Sequence, residues 1–276
     1  MRSKAIGVQI LLGWVALVLV QMIIGMLVPV RMTPPPHAAS WFLLSDLLIV
    51  TALGYVAAHS KLRGLRLGVA LAAIPFGIAA VNLIEGAVFL SRQDAAWGRI
   101  AINMLLSYAL VSPFWAYIFR GQPAIAPDTA SGDEALGTRV WKFLMSDVAY
   151  LILYYAAGSV IFPFVKDFYA TQHVPRTGTI VALQLLIRGP VFVLICLGLV
   201  RMLHMPRQRG ARMTGVLFTV LSGVAPLLIP NAFFPDYVRW VHMAEVTSSN
   251  FLFGALVGWL WTVPPNAVVR PVLKAA

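Results

Sequence analysis

Three pairs of polar residues in this chain stand at helical spacing, each pair sharing one face of a helix: Asn82 with Glu85, Gln184 with Arg188, and His242 with Glu245. Asp46 follows Ser45 within an apolar stretch, and Ser248, Ser249 and Asn250 lie just beyond Glu245. Together these groups are suited to holding a small charged solute or ion. An arginine stays protonated at any physiological pH, so Arg188 needs a carboxylate, a cluster of carbonyls or an anionic ligand. It can also balance a carboxylate that carries a proton. His242 with Glu245 and Glu85 gives an imidazole–carboxylate set of the kind that binds zinc, iron or copper. Against a metal, a di-iron bundle needs matched Glu-x-x-His motifs on two helices, and only this single reversed one occurs. The five histidines fall at the ends of apolar runs or between them, which does not suit a bis-histidine haem. No metal and no cofactor is therefore expected. The P-loop, H-E-x-x-H and G-x-S-x-G patterns are absent, so catalysis has no motif to rest on.

The elements that must position these residues follow from composition. Of 276 residues, 60% are hydrophobic and 11% charged, against the roughly 45–50% and about 25% of ordinary soluble domains. The apolar residues come in runs of about 20, the length that crosses a ~30 Å hydrocarbon layer. Such runs occupy 5–30, 40–59, 67–89, 100–119, 141–165, 178–200, 213–230 and 241–262. They do not alternate as barrel strands would, and a backbone in lipid must satisfy its own hydrogen bonds. The expectation is an all-α polytopic bundle of about eight spans forming a single transmembrane domain over 1–276, with a linker at about 120–140. The first run is too long for a signal peptide and is read as a retained span. A five-residue echo, Phe42–Asp46 against Phe143–Asp147, is too short to establish a repeat.

Charge sets the orientation. With the N-terminus inside, fourteen of the 21 Lys and Arg fall on the inner side, six on the outer side, and Arg188 alone within a span. That asymmetry predicts both termini in the cytoplasm. It also accounts for the net charge of +11 without nucleic acid, through inner loops that rest on anionic lipid headgroups. The lone cysteine, Cys196, has no partner for a disulfide within the chain. The localisation expected is a bacterial cytoplasmic membrane, as a homo- or hetero-oligomer or alone.

Depth separates the ionisable residues. Asp147, Glu85 and Glu245 each border an uncharged run long enough to span, so each can rest at an interface. From Leu47 to His59 there are only thirteen residues after Asp46, and Arg188 divides a run that neither half completes. These two are expected to be embedded, with Pro190 kinking the helix beside Arg188. An ionisable group within a bilayer costs about 2.5–3.5 kcal/mol on insertion scales and marks a candidate site. The candidates are Arg188, Asp46, Glu85, Glu245, His242, Gln184 and Asn82. The function expected is small-solute or ion transport through an outward-facing polar cavity. The alternatives are a membrane-embedded enzyme or metalloprotein, and an accessory subunit in which these groups only join helices. For the orientation, a fluorescent protein fused after Ala276 should fluoresce, and a periplasm-dependent phosphatase at the same site should be inactive. The reverse pattern would invert the topology.

Overall fold

The computed structural model describes residues 2–30, 35–89, 96–119, 134–172, 174–203, 205–230 and 234–262, with side chains from residue 6 onward. Most of the expected linker, residues 120–133, lies outside the described residues, as does His173. The described chain is helical, with no strand among the described residues. The helices are α1 (Arg2–Leu27), α2 (Ala38–His59), α3 (Gly64–Phe89), α4 (Trp97–Ile118), α5 (Leu136–Ala170), α6 (Thr177–Leu203), α7 (Arg207–Leu228) and α8 (Asp236–Trp261).

Seven of these, α1 through α7, are long and apolar enough to cross a membrane. The eighth has the length but is diluted by Asp236, Arg239, Glu245 and Asn250. Several boundaries extend past the apolar runs. Helix α5 begins at Leu136, five residues before its run, where Lys142 pairs with Glu134 at 2.6 Å. Helix α8 begins at Asp236, after Pro235, where Arg239 pairs with Asp236 one turn on at 2.8 Å. Both starts lie outside the apolar run, each beside a charge pair.

Neighbouring helices are joined in a closed order: α1 packs on α2 and α4, α4 on α3, α3 on α6, α6 on α5, α5 on α8, α8 on α7, and α7 back on α2. In lipid the apolar faces gain little by meeting one another, so close packing and hydrogen bonds must hold the bundle. The α7–α8 contact shows the first. Gly254 and Gly258 form a G-x-x-x-G step on α8, which approaches the α7 backbone at Gly215 and Ala211. A Cβ at 254 would sit 3.0 Å from the Gly215 Cα, and one at 258 would sit 2.7 Å from the Ala211 Cα. The α1–α4 contact shows the second, with Trp115 Nε1 donating to the Gly13 carbonyl at 3.0 Å and Gln9 to the Ile118 carbonyl at 2.7 Å. Phe119 then fills the space that Gly13 and Gly54 leave open.

One buried cation fixes the far end of α7. Arg239, 2% exposed, donates through Nη1 to the Leu227 and Leu228 carbonyls, each at 3.0 Å. Helix-terminal carbonyls lack partners in their own helix and carry partial negative charge, so an arginine satisfies them on both counts.

The α7–α8 approach predicts that Gly258→Ala overpacks the contact at a cost of about 1–3 kcal/mol. Gly7→Ala, where nothing lies within 4 Å of the new methyl, serves as control. Thermal unfolding of both variants in one detergent should show a fall in Tm for Gly258→Ala only.

Candidate functional site

Two helices in this bundle are broken in the same way. Pro190 on α6 and Pro226 on α7 have no N–H to offer the carbonyls four residues back, at Leu186 and Ser222, and their rings crowd those carbonyls. Each helix responds with a π turn, over Gln184–Arg188 and Val220–Val224. The Gly189 N–H reaches the Gln184 carbonyl and the Ala225 N–H the Val220 carbonyl, five residues back in each case. A π turn inserts one residue and changes which side chains face inward, a device common at functional positions. Here the inserted turns place Arg188 and Ser222 on the wall of one cavity.

That cavity has a volume of about 210 Å³ and lies between α3, α5, α6, α7 and α8. It is somewhat larger than the ~150 Å³ that holds benzene, or room for about seven waters at ~30 Å³ each. On one wall Arg188, 6% exposed, binds Glu85 Oε2 through Nη1 and Asn82 Oδ1 through Nη2 at 3.2 Å. Gln184 Nε2 donates to the other Glu85 oxygen at 3.2 Å. The guanidinium carbon lies 5.1 Å from the Phe192 ring centre, within cation–π range. On the opposite wall Tyr169 and His242 Nε2 are 2.6 Å apart, and His242 Nδ1 is 2.7 Å from Glu245 Oε2. A neutral ring with its proton on Nδ1 satisfies both bonds, donating to Glu245 and accepting from the tyrosine hydroxyl. Tyr150 and Tyr154 on α5 line the space between the walls, and Asn250 donates to Ser222 at 2.7 Å.

Of the sequence candidates, Arg188, Glu85, Asn82, His242 and Glu245 line this cavity, and Gln184 stands behind Glu85 in the same network. Glu85 and Glu245 both line the cavity, Glu85 paired with Arg188 on another helix and Glu245 with His242 one turn earlier on its own. Asp46 does not join them. It is 3% exposed and faces α1, accepting from Gln21 at 3.3 Å through Oδ1. Its neighbour Ser45 donates to the Ala225 carbonyl at 2.7 Å, beside Pro226. Asp147, expected at the level of the inner headgroups, is 7% exposed and lies against α6. Its Oδ1 would sit 2.0 Å from a Cβ at position 189 and has no hydrogen-bond donor. Position 189 therefore accepts only glycine while Asp147 stays there. The two Ser-Asp steps thus each lie against the residue that precedes a kinking proline. Asn103 lies elsewhere, donating to the Val28 carbonyl at 3.5 Å. Ser248 and Ser249 donate to carbonyls of their own helix.

No protein-family model matches this chain, and no curated protein or solved structure is significantly similar to it. Its chemistry must be argued from the cavity alone. Among the described residues no three His, Cys, Asp or Glu side chains gather as a metal ion would require. Tyr169 has no signal in the sequence around it, and Tyr150 and Tyr154 share a helix face with Asp147 that reads as packing as easily as a site. For Arg239 the i,i+3 spacing from Asp236 is the one available signal.

The Arg188–Glu85 pair makes a prediction. Glu85→Gln leaves a buried guanidinium unpaired, which costs about 3–5 kcal/mol. Adding Arg188→Gln should recover a large part of that loss. Chemical or thermal unfolding of the two single variants and the double variant measures the coupling, and strictly additive losses would show that the pair is not coupled.

Proposed function

We propose that this chain is an integral membrane protein of about eight spans, with both termini in the cytoplasm, that moves a small solute or ion through the cavity. The observation that carries the reading is a charged, tyrosine-lined cavity enclosed by five helices, two of them broken where they meet it. A bundle built only for stability has no reason to keep ionisable side chains around a space instead of apolar side chains filling it. Broken helices at a central site are what secondary transporters use to expose polar groups and to supply hinges. The α8 helix, too polar to pass as a span by composition, crosses here as the inner wall of the cavity, shielded by α5 and α7. The basic inner loops would rest on anionic headgroups of a bacterial cytoplasmic membrane.

A second reading has its own observation. Tyr169, His242 and Glu245 form a chain in the order of an activated hydroxyl, its base and the group that orients the base. Such a relay suits an enzyme that acts within the membrane. The two readings separate on the fate of the solute, since an enzyme returns it chemically changed and a transporter does not.

For transport, Ser249 is the informative position, because it lines the cavity without joining either ion pair. Full-length protein reconstituted in liposomes should give transient currents on a solid-supported membrane when a panel of small charged solutes is applied. Ser249→Trp should remove these currents while the protein stays monodisperse. Currents unchanged by the tryptophan would place the pathway elsewhere, and currents absent throughout the panel would count against transport.

A further inference from the structure

The donors and acceptors of the cavity are not evenly spent, and the imbalance sets the sign of its occupant. Arg188 gives one N–H to Glu85 and one to Asn82, and its Nε is buried without a partner. An anion at the guanidinium would have to share it with the carboxylate of Glu85, already paired there, and like charges side by side are costly. The opposite wall is different. Glu245 uses Oε2 for His242 and holds Oε1 toward Gly158, 3.5 Å from where a Cβ would stand, with no donor on that oxygen among the described residues. Two carboxylates, Glu85 and Glu245, line the cavity with one arginine, and that arginine is bonded to Glu85. The cavity that Glu245 lines is aromatic, through Tyr150, Tyr154, Phe89 and Phe234. Ring faces attract cations, by as much as about 2 kcal/mol where water is excluded.

We propose that the cavity binds a small organic cation, an alkylammonium whose charged nitrogen meets Glu245 and whose carbon groups lie against the tyrosine and phenylalanine rings. This names the substrate class of the proposed transport and rests on that reading only for passage across the bilayer. The Arg188–Glu85 pair then fixes the other wall and lets the site discriminate against anions, because the one arginine lining it among the described residues already carries a carboxylate. A divalent metal is disfavoured by the same inventory, since it asks for about six oxygen ligands and, among the described residues, Glu85, His242 and Glu245 do not come together closely enough to share one ion. The volume of about 210 Å³ admits an ammonium carrying a few carbons and excludes a drug-sized ligand, which needs about 300 Å³ or more.

The test uses propylammonium, propionate and 1-propanol, three probes of one size and three charges, titrated calorimetrically into the full-length protein in neutral detergent. Propylammonium should bind saturably at one site, and the other two should give no heat beyond dilution. Glu245→Gln keeps the shape and an acceptor for His242 while removing the charge. It should weaken propylammonium by about thirtyfold or more, the loss expected when one member of a buried charge pair goes. Should that variant fail to fold, Ser249→Lys supplies a tethered ammonium in the cavity and should abolish propylammonium binding. Propionate binding that Arg188→Gln removes overturns the proposal. So does propylammonium affinity unchanged in Glu245→Gln or Ser249→Lys. In liposomes, propylammonium binding without flux removes the transport reading and leaves this one standing, whereas flux of propionate removes this one alone.

Discussion

A guanidinium within an apolar bundle cannot give up its proton, so the chain around Arg188 must supply a counter-charge and acceptors or lose the fold. Glu85 supplies the charge, Asn82 an acceptor and Phe192 a ring face. These come from α3 and from the next turn of α6 itself. The requirement therefore fixes how α3 lies against α6, and Gln184 tightens it by holding the second oxygen of Glu85. One wall of the cavity is thus determined by the needs of a single residue. The π turn is part of the same solution, since it relieves Pro190 and places Gln184 and Arg188 together in the network at Glu85.

The second wall depends on a helix that composition alone would not commit to a membrane. Helix α8 carries His242, Glu245 and Asn250 along one side, and those groups must be turned away from lipid. Glycine makes that possible. With Gly254 and Gly258 at the α7 backbone, the helices come close enough for van der Waals packing and short polar contacts to replace the hydrophobic drive that lipid removes. Arg239 contributes at the other end, where it satisfies the last carbonyls of α7 and so ties the entrance of α8 to the exit of its neighbour. Small residues hold one end of this pair and an arginine cap holds the other.

Between the walls lies a space that side chains do not fill. Both proline-broken helices border it, and each break has an aspartate- or serine-bearing helix packed against it, α5 at Gly189 and α2 at Ala225. π turns of this kind are frequent at functional sites, and Asp147 and Ser45 lie against the residues that precede the two prolines. Asp147 fits only because position 189 has no side chain.

Run length and composition were enough to read an all-helical membrane bundle and the position of nearly every helix, since an apolar stretch of that length has few other solutions. Arg188 was legible as embedded for the same reason: neither half of its run can cross alone. The i,i+3 and i,i+4 spacings also put the right residues on common faces, because helix geometry is local. What the sequence could not determine is which faces meet. Asp46 looked as deeply placed as Arg188, yet its helix turns that face to α1, while Asp147 lies against α6 and Glu85 and Glu245 line the cavity. Depth along one helix is a property of that segment alone, whereas rotation about the axis is set by packing against neighbours far away in the chain. Only the tertiary structure decided that Tyr169, His242 and Glu245 form one chain, or that Arg188 spends its charge on Glu85 and leaves Glu245 facing the cavity.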